Sequence, residues 1–128
     1  MGTKRILLVD AEEETSELFH EVLERRGYKV TACEGSEAAQ IAKRCPVFAA
    51  FVDVRAPGIS SVQCLREIKA ARPEAHLVMI TGYTRDEAVE EALKLGCFVC
   101  MMKPLKLLDI LGVIEVLQVG VSPLARAA

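Results

Sequence analysis

Five short apolar runs, Arg5–Val9, Tyr28–Cys33, Val47–Asp53, His76–Thr81 and Cys97–Met102, alternate with longer stretches of helical spacing. Each run is too short for an ordinary helix and is mostly β-branched or aromatic, as strands are. The connections are long enough for the crossovers that parallel pairing demands, and right-handed crossovers put helices on both faces of the sheet. Two runs, Ile6-Leu7-Leu8-Val9 and Val47-Phe48-Ala49-Ala50-Phe51-Val52, show no apolar/polar alternation, which is what strands covered on both sides require. The expected architecture is an α/β three-layer sandwich, α/β/α, around a five-stranded parallel sheet.

The helical stretches carry their own punctuation. In the first, Leu18, Val22 and Leu23 form an apolar stripe, Glu13, Glu14, Glu17, Glu21 and Glu24 face away, and Gly27 supplies the stop. Ser36 to Arg44 reads as a short second helix. Ser60 or Ser61 is expected to cap the third through the capping-box pattern Ser60-Ser61-Val62-Gln63, with Leu65 and Ile68 turned inward. Thr84-Arg85-Asp86-Glu87 repeats that pattern, and Gly96 closes the helix that follows it. A fifth helix is expected from near Lys106 to about Gln118. Eight of the eleven residues from Leu107 to Leu117 are Leu, Ile or Val. If Leu107, Leu111 and Ile114 pack on the sheet, Leu108, Val113 and Val116 face outward, an apolar surplus that suggests a partner surface.

A chain of 128 residues suits one domain, expected over residues 1–120 with a tail at 121–128. Its net charge of -2 excludes a nucleic-acid surface formed by this domain alone, because phosphate binding needs a cationic excess. No apolar run approaches the roughly 18 residues of a membrane helix, and the start has no secretory signal, so a cytoplasmic location is expected. The five cysteines, an odd number, point to reduced thiols. Cys97-Phe98-Val99-Cys100 has the spacing of a redox or zinc motif, but residues three apart on a strand face opposite ways, so the sulfurs are expected to diverge. Cys33, Cys45 and Cys64 have no partner pattern, and neither His20 nor His76 has neighbouring ligand residues.

In parallel sheets ligands bind beyond the carboxyl ends of the strands. Four of the five ends carry a polar residue: Asp10, Asp53, Thr81 and Lys103. The first loop, Asp10-Ala11-Glu12-Glu13-Glu14, is acidic where a nucleotide-binding protein needs glycines, and it opposes the phosphate of a flavin, which excludes an electron carrier of that kind. It attracts a hard divalent cation instead. Carboxylates, a cation, a hydroxyl and an ammonium suit phosphoryl transfer, with Asp53 as the nucleophile.

Ile6-Leu7-Leu8-Val9-Asp10, Asp53-Val54-Arg55-Ala56-Pro57-Gly58, Met79-Ile80-Thr81-Gly82 and Lys103-Pro104 resemble, in order and spacing, the signature segments of bacterial two-component response-regulator receiver domains. The resemblance runs from Lys4 to Gln118. It implies a flavodoxin-like sheet of strand order 2-1-3-4-5, with Asp10 beside Asp53, and a phosphoacceptor signalling domain rather than an enzyme. Asp53 would take a phosphoryl group from a histidine kinase or phosphotransfer protein. Mg2+ would be held by Asp10, Asp53 and the backbone carbonyl of Arg55. Thr81 would hydrogen-bond the phosphoryl oxygen, Lys103 would pair with it, and the Lys103–Pro104 bond would be cis. The face built from the fourth helix, fifth strand and fifth helix would meet an output partner or a second copy.

Three features depart from the family pattern. Ala11 stands where the direct metal ligand is expected, so Mg2+ binding should be weak, with Glu12 as a further candidate ligand through its longer side chain. Ser60-Ser61 replaces an Asp-Gly pair. Cys100 occupies the switch position on the fifth strand, normally Tyr or Phe. The alternative reading is a pseudo-receiver that docks partners without being phosphorylated.

Overall fold

The computed structural model of the chain describes residues 3–54, 59–82 and 87–119. Among them, strands and helices alternate as β1 (Arg5–Val9), α1 (Glu13–Glu24), β2 (Lys29–Cys33), α2 (Gly35–Arg44), β3 (Ala49–Asp53), α3 (Ile59–Ala71), β4 (His76–Thr81), α4 (Glu87–Lys94), β5 (Val99–Met102) and α5 (Leu107–Val119). All strand pairs are parallel, in the order β2-β1-β3-β4-β5. This is the expected flavodoxin-like sandwich.

The continuous apolar runs explain why β1 and β3 are interior. Ile6 to Val9 and Ala49 to Val52 are completely buried, and their side chains feed two separate cores. On one face Leu7, Val9, Ala50 and Val52 meet Ala38 and Ala42 of α2, Leu65 and Ile68 of α3 and Ala92 of α4. On the other, Ile6, Leu8, Ala49 and Phe51 meet α1 and α5. Phe19, absent from the stripe read in the sequence, is fully buried there and packs edge-on against Phe51 with ring centroids 5.0 Å apart. Gly27 and Gly96 end α1 and α4 with φ of +90° and +94°, a conformation that glycine adopts without steric penalty.

Several expected boundaries shift. β2, β3 and β5 begin later than the apolar runs because Tyr28, Phe48 and Phe98 lie just ahead of the strands. α2 begins at Gly35 rather than Ser36, and α3 begins at Ile59. Ser60 and Ser61 therefore lie inside the first turn of α3 and do not cap it, since a cap residue must still be extended. The segment Thr84-Arg85-Asp86 lies outside the described residues, as does the expected tail at 121–128. On α5 the inward stripe is Ile110, Ile114 and Leu117, while Leu107 is 46% exposed and Leu111 half-buried. A helix that is apolar nearly all round does not declare its inner face by periodicity.

Candidate functional site

The chain leaves β1 at Asp10 with φ of +57°, the one non-glycine residue with positive φ among those described. Aspartate tolerates this left-handed region better than most residues. The Asp10 N–H donates to the Cys33 carbonyl at 2.9 Å. Its Oδ1 accepts a 3.0 Å hydrogen bond from the Gly35 N–H at the start of α2, where the helix dipole favours a negative charge. Space is tight: a Cβ on Gly35 would lie 2.9 Å from Asp10 Oδ2. Gly35 is the member of this rim that sequence reading missed. The signal was available in the order of the strands, since β2 beside β1 carries the β2–α2 turn over Asp10.

Two thiols lie in the field of Asp10. Burial first, then Glu37 and Asp10, pushes the Cys33 thiol up to about 11. Burial first, then Asp10, Cys33 and Glu67, pushes Cys64 up to about 12. Both remain protonated near neutrality.

Asp53 ends β3 at the neighbouring position and is 1% exposed. Lys103 Nζ lies 2.8 Å from its Oδ2 and 3.7 Å from Glu12 Oε1. An ammonium so placed offsets a carboxylate charge that burial would otherwise make costly. The Lys103 N–H donates to the Thr81 carbonyl at 2.9 Å, which ties the start of the β5–α5 connection to the end of β4. Thr81 is itself buried, and the Lys103–Pro104 peptide is cis. Asp53, Thr81, Lys103 and Glu12 thus meet at one rim, with Asp10 on the adjoining strand. Glu12 is mostly exposed and faces the lysine. Arg55 lies outside the described residues.

Among the described residues no group of three or more His, Cys, Asp or Glu side chains is placed to hold a metal ion. Mg2+ can be bound by one or two carboxylates with water completing its shell. Asp53 and Asp10 fit that modest requirement, although one Asp10 oxygen already accepts from Gly35 and Ala11 offers no donor.

Cys100 is not at the rim. It sits in β5 opposite Met79, half-buried, and its side chain, like that of Cys97, packs in the core shared with α2, α3 and α4. The expected divergence of the two sulfurs is therefore wrong. The strand begins only at Val99, so strict alternation does not extend back to Cys97. On α5, Leu108 is 76% exposed and lines an apolar groove with Val113, Val116 and the β5 residues Val99 and Met101. Among the described residues no helix is long and apolar enough to cross a membrane.

The response regulator receiver domain family model matches residues 6–115. The response regulator receiver protein Anae109_2439 of Anaeromyxobacter sp. is 30% identical over 102 residues, covering 79% of this chain and 43% of that protein. The chain spans less than half the length of this and two other curated relatives, between 21% and 43%. The crystal structure of a CheY-like receiver domain protein from Methanospirillum hungatei JF-1 superposes with a TM-score of 0.81 at 28% identity, covering 91% of this chain and 95% of that one. A Burkholderia pseudomallei response regulator, crystallised with a phosphorylated aspartic acid and a calcium ion, superposes with a TM-score of 0.74 at 27% identity, covering 84% of this chain and 64% of that one.

Proposed function

The chain belongs to the response regulator receiver domain family, and from that premise we propose that it is a phosphoacceptor signalling domain in which Asp53 takes a phosphoryl group from a phosphohistidine donor, a histidine kinase or a phosphotransfer protein. The observation that carries this reading is the 2.8 Å approach of Lys103 Nζ to Asp53 Oδ2 at the carboxyl edge of the sheet. An Asp53 oxygen forms the new bond to phosphorus as the bond from phosphorus to the donor imidazole nitrogen breaks. The nitrogen keeps the electron pair, and the imidazole, already protonated on its other ring nitrogen, leaves neutral. Lys103 balances charge on the phosphoryl oxygens, and Thr81 donates its hydroxyl to one of them. Both groups are held in place beforehand by the backbone bond between Lys103 and Thr81, so little reorganisation is needed.

A divalent cation such as Mg2+, when bound, supplies further positive charge. Asp53, Asp10 and the Arg55 carbonyl would hold it, with water standing where Ala11 has no carboxylate. The calcium ion and phosphorylated aspartic acid of the Burkholderia pseudomallei protein support this assignment by likeness. The receiver unit would cover residues 1–120, with 121–128 as a tail, and would work in the cytoplasm, where free cysteines persist as thiols. The groove beside β5, with Leu108, Val113 and Val116 on its α5 wall, is the surface proposed to receive an output partner or a second copy. Cys100 takes the β5 switch position without an aromatic ring to rotate, so any change passed to that surface must travel through Thr81, Lys103 and the strand itself.

The deciding experiment is incubation of the chain with a small acyl phosphate and Mg2+, followed by intact-mass measurement. One added phosphoryl group, absent from Asp53→Asn, is the expected result. An unmodified wild-type chain at high Mg2+ would overturn it and leave a pseudo-receiver that only docks partners.

A further inference from the structure

Cys97 and Cys100, three residues apart, pack on the same face of the sheet. Phe98 and Val99, consecutive in sequence, both pack toward the α1 and α5 side of the sheet. The period-two alternation therefore breaks between them, and the cysteines that flank them both turn toward the α2, α3 and α4 side. Cys97 is anchored where α4 ends: its N–H donates to the Ala92 carbonyl at 3.0 Å. Its Sγ lies 3.4 Å from the Leu77 carbonyl oxygen and 3.5 Å from that of Val99, on the side of the strand to which Cys100 also turns. Burial separates the two thiols. Cys97 is 6% exposed, whereas Cys100 is only half-buried.

We propose that Cys97 and Cys100 are a peroxide-sensitive dithiol, Cys100 reacting first and Cys97 resolving it to an intramolecular disulfide across Phe98 and Val99. The Cys100 sulfur attacks one oxygen of hydrogen peroxide, the O–O bond breaks, and a sulfenic acid forms as the other oxygen leaves in water with the Cys100 proton. The Cys97 sulfur then attacks the Cys100 sulfur, and the sulfenic hydroxyl leaves as a second water with the Cys97 proton. Two thiols are oxidised by two electrons in all, and one peroxide is reduced to two waters.

The roles follow from the difference in exposure. The neighbouring Cys97 thiol lowers Cys100 against the opposing effect of burial. Cys100 beside it, together with burial, raises Cys97, so it is a poor first nucleophile and a suitable second one. Cys33 and Cys64, raised to about 11 and about 12, are expected to react slowly.

The test is treatment of the full chain with hydrogen peroxide, alkylation of remaining thiols, then intact-mass measurement and peptide mapping. The wild type is expected to lose two hydrogens, to carry both cysteines linked in one peptide, and to recover both thiols with dithiothreitol. Cys97→Ser is expected to stop at a Cys100 sulfenic acid that dimedone traps. Cys100→Ser is expected to leave Cys97 as a thiol, and Cys45→Ser to behave as wild type. A wild-type peptide alkylated at both Cys97 and Cys100 after peroxide, or a disulfide joining other cysteines, overturns the proposal whatever the variants do.

Discussion

The two edges of the sheet are built on opposite rules. At the carboxyl edge, Asp10, Asp53, Thr81 and Lys103 bring charge and hydroxyl groups together, with one left-handed residue and a nearly inaccessible carboxylate. At the amino edge a row of rings crosses the sheet, one at the start of each of four strands: Tyr28, Phe48, His76 and Phe98. Successive centroids are 5.8, 5.3 and 6.4 Å apart, Lys4 lies over Phe48 at 4.5 Å, and Gln118 at the end of α5 hydrogen-bonds the Tyr28 hydroxyl. The amino edge is held by packing, which can relax when a side chain is trimmed. The carboxyl edge is held by compensation between charges, which fails when one partner is removed. That contrast suits the proposed site: a packed base opposite a rim whose buried carboxylate is paired with an ammonium.

The largest effect should come from removing the compensation. Lys103→Ala leaves the Asp53 carboxylate buried without its ammonium, and breaking a fully buried pair costs about 3–5 kcal/mol. Lys103 is 29% exposed, so water replaces part of its role, and a loss of about 2 kcal/mol in urea denaturation near neutrality is expected. Adding Asp53→Asn should restore most of that loss, because the stranded charge disappears with it. Equal losses in the single and double variants would show that the rim is held by packing after all and would erase the difference between the edges.

A smaller effect sharpens the role of Asp10. Asp10→Ala removes the acceptor for the Gly35 N–H and places alanine in left-handed backbone, so a loss of about 1–2 kcal/mol is expected in the same denaturation. Asp10→Asn keeps a side-chain oxygen and a residue tolerant of positive φ, and should stay close to wild type in stability. Gly35→Ala would ordinarily favour a helix, yet here its Cβ meets Asp10 Oδ2 at 2.9 Å. It should therefore destabilise, and stabilisation instead would show that the Asp10 carboxylate is free to move.

How far the sequence declares these edges can be judged residue by residue. β1 and β4 begin and end as the apolar runs do, because both are bounded by polar or charged residues. At β2, β3 and β5 the runs start early, since Tyr28, Phe48 and Phe98 are apolar for the sake of the aromatic row rather than the ladder. Asp53 and Lys103 were legible because strand ends in a parallel sheet share an edge, and the structure places them in contact. The bond from Gly35 to Asp10 depends on a backbone angle and on two turns far apart in the chain, neither of which a local pattern encodes. The cysteine pair was misread for the same reason: alternation was extended through Cys97 and Phe98, where the strand has not yet begun.

The smallest expected effect lies at the amino edge, where the one imidazole in the row is His76. Burial, then the charges of Lys69 and Lys4, lowers it below its ordinary value. Above about pH 6.5 the ring is neutral in both folded and unfolded chains and contributes no pH dependence. As pH falls through that value the unfolded chain takes up a proton that the folded ring resists, so folding loses stability toward acid. His76→Phe keeps a ring between Phe48 and Phe98 and cannot take up the proton. The melting temperature of this variant relative to wild type should therefore rise as pH is lowered from about 7.5 to about 5.5, with carboxylate effects common to both chains. A relative melting temperature that stays constant over that range would mean that His76 is protonated as readily in the folded row as in the open chain, and that the amino edge tolerates a charge after all.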